Sequence, residues 1–282
     1  MKLSAEVKHL IQLALKEDIG KYDITSELII PKNSVGTAFI IAKESGIICG
    51  LQIANQICKT IDKKLSFAAL SKDGDRVAAS QKIATINGPL KSLLTAERTI
   101  LNFLQRMSGI ASEENKYAAA LRGTNTKLLD TRKTVPGHRA LDKYAVKVGG
   151  GVNHRIGLFD MILIKENHIA AAGSITEAVK RASLNKPKNM KIEVEVTNLQ
   201  EVEEALIQNV DIIMLDNMTT SQIKKSLKVI KGKCKTEASG GITLKNIRQI
   251  AKTGVNYISV GAITHSVKAL DIALYIQQTK KK

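Results

Sequence analysis

"KIEVEVTNLQEVEEALIQNVDIIMLDN", residues Lys191 to Asn217, sets two short apolar runs, KIEVEVT and DIIMLDN, on either side of a stretch with helical period. Short runs rich in Ile and Val and bounded by Asn and Asp read as buried strands, and apolar residues recurring every three or four positions read as a helix between them. A strand, a crossover helix and a second strand in so few residues form a parallel βα unit. The same alternation extends in both directions. KLLDTRK and MILIKEN precede it; KTEASGG and YISVGA follow it; SITEAVKRASL, TSQIKKSLKVI and TLKNIRQIAKTG fill the gaps with helical period. About six strand runs are visible, which leaves an incomplete α/β barrel and a doubly wound sheet both open.

The C-terminal ends of these runs favour the barrel. Asp130, Arg132 and Lys133 end one run, Lys165 and Glu166 the next, then Glu195, then Asp216 and Asn217, then Ser239, Gly240 and Gly241, then Gly261. A barrel gathers all its strand ends at one mouth, whereas a doubly wound sheet brings two of them to its switch point.

Upstream, the first hundred or so residues lack this regularity. A helix at about 3–17, strand-like TAFIIAK and GIICG, a helix near 51–61 and turn-rich SKDGDRV and KIATINGP suggest a compact α+β domain. A long helical pattern then runs from Pro89 to about Leu121. Leu93, Leu94, Ile100, Leu101, Leu104 and Met107 form its apolar stripe, Arg98, Asn102 and Gln105 its polar face, and Gly109 is read as a break between two helices.

The formal net charge of +17 points to anionic partners. With 3% aromatic residues and no Trp, stacking platforms for nucleic acid are scarce, and no zinc-finger, homeodomain or RNP-like pattern occurs. Small anions are the better fit. Cys49, Cys58 and Cys234 have neither metal spacing nor a disulfide pattern, which suits a reducing cytoplasm. No apolar run reaches membrane-spanning length, the opening segment reads as an amphipathic helix, and the KKK tail reads as solvated.

Three clusters carry the chemistry. The first is cationic. "DTRKTVPGHR", residues 130–139, crowds Arg132, Lys133, His138 and Arg139 into ten positions, and His154, Arg155 and Lys165 follow. Guanidinium groups bind carboxylate or phosphate through paired hydrogen bonds, and lysine acts as a compact charge. Arg139 is balanced between this role and an ordinary solvated one. Lys165 has a second reading, as the Schiff-base lysine of an aldolase. The second cluster is Glu195 with Asp216, a pair suited to a divalent cation or to ribose hydroxyls, or simply to salt bridges with the cations. Glu193 is expected on the opposite face of the strand from Glu195. The third comprises ASGGI (238–242), expected to enter a helix near Thr243, and SVGAITH (259–265); exposed amides in such turns hold phosphate. VGGGVNHRIG (148–157) lacks the helix and acidic residue of a dinucleotide fingerprint, and no P-loop is present.

LLDTRKTVPGHRALDKYAVKVGGGVNHRIGLFDMILIKENHI closely resembles the central signature of the quinolinate phosphoribosyltransferase family. KEDIGKYDIT, AERTILNFLQRMSGIA, IEVEVTN, IIMLDN, EASGGI and VGAITHS resemble it in the same order. Tyr22, Val135, His138 and Val152 depart from the commoner family residues, which touches substrate tuning. The resemblance implies an N-terminal α/β sandwich (1–109), an open α/β barrel (110–266) and a C-terminal segment (267–282) returning to the first domain. It implies a cytoplasmic homodimer in which Arg98 reaches the neighbouring site, with Mg²⁺ as cofactor. Arg98, Thr131, Arg132, Lys133, His154, Arg155 and Lys165 would bind quinolinate. Lys133, Glu195 and Asp216 would carry the catalysis, with Glu195 and Asp216 holding ribose hydroxyls and metal. Ser239, Gly240, Gly241, Val260, Gly261, Ala262 and His265 would surround the phosphate of phosphoribosyl diphosphate.

Overall fold

The computed structural model describes residues 3–278 of the chain. The KKK tail lies outside the described residues. The chain divides into two compact units, residues 3–115 with 135–150 and 266–278 in one, residues 116–134 and 151–265 in the other. The sequence reading placed 135–150 in the second; here they belong to the first, as helix α5 described below.

The first unit begins with helices α1 (Ala5–Ile19) and α2 (Ile24–Ile29), capped by Ser4 and Asp23, whose side chains accept the backbone N–H of Val7 and Ser26. Strands β1 (Val35–Ala42) and β2 (Gly46–Ile47), helix α3 (Leu51–Ile61), and strands β3 (Ser66–Ala69), β4 (Arg76–Val77) and β5 (Lys82–Pro89) follow, then helix α4 (Leu90–Ala120). KIATINGP is therefore strand β5, not a turn. It pairs antiparallel with β1 on one edge and β3 on the other, and its closing Gly88-Pro89 disguised it. Helix α4 passes through Gly109 without a break. A Cβ there would sit 2.3 Å from the Lys268 carbonyl oxygen, so the glycine admits a neighbouring backbone rather than ending the helix. Helix α5 (Arg139–Gly149) also belongs to this unit.

The second unit is an open α/β barrel. Strand β6 (Lys127–Leu129) leads to β7 (Ile162–Ile164), α6 (Glu166–Ala172), α7 (Ile175–Asn185), β8 (Ile192–Val196), α8 (Leu199–Ile207), β9 (Ile212–Asp216), α9 (Thr220–Ile230), β10 (Lys235–Ser239), α10 (Ile247–Ala251), β11 (Tyr257–Ser259) and α11 (Ala262–His265). All six strand runs of the sequence reading form one parallel sheet in the order β6-β11-β10-β9-β8-β7, with β6 and β7 at its two ends. Ser174, Asn198 and Thr219 cap α7, α8 and α9 through their side-chain oxygens, so the start of each helix, including the strand-to-helix turns into α8 and α9, is fixed by its own local chemistry. Back in the first unit, the last strand, β12 (Ile272–Gln278), pairs with β1 and completes the sheet β12-β1-β5-β3. Among the described residues no helix is long and apolar enough to cross a membrane.

Candidate active site

Paired residues on neighbouring parallel strands point the same way, so register shows which side chains face the inside of the sheet. Glu195 pairs with Met214, Met214 with Glu237, and Asp216 with Ser239; Leu163 pairs with Glu193. Glu193 and Glu195, two residues apart, share a face. The expectation that they oppose one another fails because side chains alternate with a period of two, and only odd separations change face. Both point inward. Glu195 lines a cavity of about 680 Å³, and Glu193 lies fully buried against His154, which also lines it.

This cavity lies entirely within the barrel unit and takes residues from the C-terminal end of every strand. Its cationic wall is Arg132, Lys133, His154, Arg155 and Lys165. Lys133 is fixed through its backbone: its N–H donates to the Thr131 hydroxyl at 3.1 Å, and its carbonyl accepts from the Thr264 hydroxyl at 2.8 Å. Asp130, fully buried at the end of β6, accepts the His154 backbone N–H at 2.8 Å and the Asn153 amide at 2.6 Å, which ties the glycine-rich segment to the mouth. Arg155 donates to the Met161 carbonyl at 3.2 Å. Burial, and then the nearby Arg132, pull the Arg155 guanidinium below its ordinary value; an anion between the two relieves that repulsion. Lys165 caps α6 and forms an ion pair with Glu195.

The acidic part is Glu195 and Asp216. The Asp216 carboxylate accepts the Asn217 side-chain amide at 2.7 Å, and the Asn217 backbone N–H donates to the Ser239 carbonyl at 2.9 Å. Beside it lies the turn Ser239-Gly240-Gly241. Gly240 has φ +86°, and a Cβ there would lie 2.1 Å from Asn217 Oδ1. Only glycine fits this turn. The helix expected near Thr243 begins at Ile247 instead, because the Asn246 side chain accepts the Thr243 N–H at 2.8 Å and holds an extra turn open. Val260, Gly261, Ala262 and His265 complete the lining.

Beneath the cavity, His154 Nε2 lies 2.9 Å from Glu193 and 3.4 Å from Glu237, both fully buried. Burial works against the charged ring, but the hydrogen bonds and charges of the two glutamates outweigh it and push His154 up to about 9. Burial likewise raises the Glu193 carboxyl, to about 7.

Of the expected site residues, all but Arg98 line this cavity. Arg98 is exposed on α4 in the other unit. Arg139 begins α5 and does not line it either. The sequence reading assigned no role to Leu163, Met214, Glu237 or Thr243, which do. Glu237 was within reach of inference: it stands two residues before Ser239, as Glu193 stands before Glu195, and so shares the inward face.

Comparison with known proteins agrees with the geometry. Residues 23–108 match the quinolinate phosphoribosyl transferase N-terminal domain, and residues 110–275 match the C-terminal domain. A Bacillus subtilis protein named "Probable nicotinate-nucleotide pyrophosphorylase [carboxylating]" is 44% identical over 269 residues, covering 95% of this chain and 93% of that protein. The Arabidopsis thaliana chloroplastic nicotinate-nucleotide pyrophosphorylase (carboxylating) is 43% identical, with 96% and 83% covered. The solved structure of the Francisella tularensis nicotinate-nucleotide pyrophosphorylase superposes with a TM-score of 0.93 at 46% identity, covering 98% of both chains. With both domains matched in order and these likenesses running almost end to end, the chain belongs to the quinolinate phosphoribosyltransferase family.

Proposed function

We propose that this chain transfers the phosphoribosyl group of 5-phosphoribosyl 1-diphosphate to the ring nitrogen of quinolinate with loss of CO₂, giving nicotinate mononucleotide and diphosphate. The observation that carries this is the one cavity that brings together five cationic side chains, the carboxylates of Glu195 and Asp216, and two backbone turns. A pyridine diacid matches the first, a ribose the second and a phosphate the third.

The pyridine nitrogen attacks with its lone pair and has no proton to lose, so no general base is needed. Rate comes from alignment and from charge placed in advance. Arg132, His154, Arg155 and Lys165 orient the diacid, and Lys133 reaches both substrates. As the bond to diphosphate breaks, positive charge grows on the ribose, where Glu195 and Asp216 stabilise it. The new N-glycosidic bond leaves the ring nitrogen positive. The adjacent C–C bond then breaks with its electron pair left on the ring carbon beside that charge; CO₂ departs, and the carbon takes up a proton.

Magnesium belongs to the same proposal. Glu195 and Asp216 both open into the cavity and offer the hard oxygen donors that Mg²⁺ prefers. Each already has a partner, Lys165 and Asn217, so the pair would reach the ion through remaining oxygens or water. When bound, the ion offsets the charge of the departing diphosphate. A homodimer in which Arg98 completes the neighbouring site, and a cytoplasmic location suited to three free cysteines, are further parts of this reading.

The Schiff-base alternative is weaker, because Lys165 is tied to Glu195 as an ion pair and suits anion binding better than a free amine nucleophile. Incubation with quinolinate, phosphoribosyl diphosphate and Mg²⁺ should yield nicotinate mononucleotide and CO₂ together. Equal turnover with nicotinate, or borohydride trapping of substrate on Lys165, would reject the assignment.

A further inference from the structure

We propose that Glu193 and Glu237 are positioning residues for this reaction: from inside the barrel they hold the His154 ring by Nε2 and keep it a cation turned to a carboxylate of the diacid. This rests on the reading of the cavity as a quinolinate site.

The two glutamates come from β8 and β10, strands separated by β9, yet both reach one imidazole nitrogen, at 2.9 and 3.4 Å. Both are fully buried. Glu193 Oε1 has no hydrogen-bond partner among the described residues, and Glu237 meets the His154 ring only through a long contact of 3.4 Å. Buried carboxyls in that state cost stability unless a cation stands beside them. The His154 ring, which can carry that charge, is within reach of both. Apolar filling was available at this level, since Glu193 pairs in register with Leu163 and Ile212, and Glu237 with Met214 and Tyr257. Acids at such positions point to a task in the site.

The task follows from imidazole chemistry. With Nε2 donating to Glu193, a neutral ring leaves a lone pair on its other nitrogen, which repels a carboxylate. The cation places a proton there. Arg132, Arg155 and Lys165 line the same cavity and oppose that second proton, while Asp130 accepts the His154 backbone N–H and Glu195 is engaged by Lys165. Both glutamates touch the ring itself, and the resulting shift of His154 is upward.

The test reads His154 directly. NMR of the ¹³C-labelled imidazole in the wild-type protein should give a midpoint at least about one pH unit above the ordinary histidine value. Glu237→Gln and Glu193→Gln should each lower that midpoint. In both variants the KM for quinolinate at about pH 8.5 should rise at least about tenfold over its value at about pH 6, with the KM for phosphoribosyl diphosphate and kcat changed less than about threefold. A wild-type midpoint at or below the ordinary value overturns the proposal and needs no variant. So does an equal rise in quinolinate KM at both pH values, which marks a structural defect. One equivalent of a bound metal ion would overturn it too, because His154, Glu193 and Glu237 present donors within 4.8 Å of one another and a metal requires the neutral ring. Wild-type protein without quinolinate turnover at either pH would sink the reaction itself; turnover with an unmoved variant profile would sink only the role of the glutamates.

Discussion

Arg132 and Arg106 show two different uses of a guanidinium. Arg132 lines the cavity close enough to Arg155 to depress it, an arrangement that is unfavourable until an anion arrives. Arg132→Ala should therefore lower kcat/KM for quinolinate by about a hundredfold or more while leaving thermal stability unchanged, as read by steady-state kinetics and a melting curve. Arg106, in the other unit, grips the fully buried Asp142 with both Nε (3.0 Å) and Nη2 (2.7 Å). Arg106→Met would strand a buried carboxylate at a cost of about 3 kcal/mol, and adding Asp142→Leu should recover much of it. Denaturant titration of the single and double variants decides this; equal losses in both would show that the pair is not the cause. His154 carries a pH signature of its own. Its folded value is raised to about 9, so its contribution to stability is complete below the unfolded value near 6.5 and is lost as pH rises through 9. Melting temperature should fall over that window, and less steeply in His154→Asn.

At the scale of elements, the strand-to-helix turns matter more than the strands. Gly240 and Gly241 both have positive φ, +86° and +61°, but a Cβ on Gly240 strikes Asn217 whereas one on Gly241 meets nothing within 4 Å. Gly240→Ala should reduce kcat/KM for phosphoribosyl diphosphate by at least about tenfold, since either Asn217 and its partner Asp216 move or the turn does. Gly241→Ala should show only the backbone penalty of about 1 kcal/mol in stability. Comparable kinetic losses in the two variants would reject the interlock between the β9 and β10 turns. Local sequence showed the glycine turn itself. It did not announce that Asn246 delays α10, because a side chain accepting an N–H three residues earlier competes with helix formation without altering the apolar period.

At the scale of the whole molecule, Arg98 tests whether one chain makes a complete site. Arg98 lies in a different compact unit from the cavity, exposed on α4. If a neighbouring copy supplies it, Arg98→Ala and Arg132→Ala should each be inactive alone, yet mixing them after subunit exchange should restore about a quarter of the activity, because mixed dimers carry one intact site. No recovery after verified exchange would place Arg98 in its own chain's chemistry or in none. The net charge of +17 gives such a site long-range attraction for two anionic substrates, so salt should weaken both.

The sequence by itself determined the parallel βα architecture, the polar strand ends and the glycine turns. Each is a local pattern: period, cap and turn chemistry act within a few residues and survive reading in one dimension. It also carried the family, through motifs long enough to be specific. Only the tertiary structure decided that Gly109 admits a backbone instead of ending a helix, that KIATINGP is a central strand, and that 135–150 belong with the first unit. Only it showed the buried acids Glu193 and Glu237 meeting at His154. Those facts depend on which distant segments share space, and burial and charge pairing across strands leave no signal in the order of neighbours along the chain.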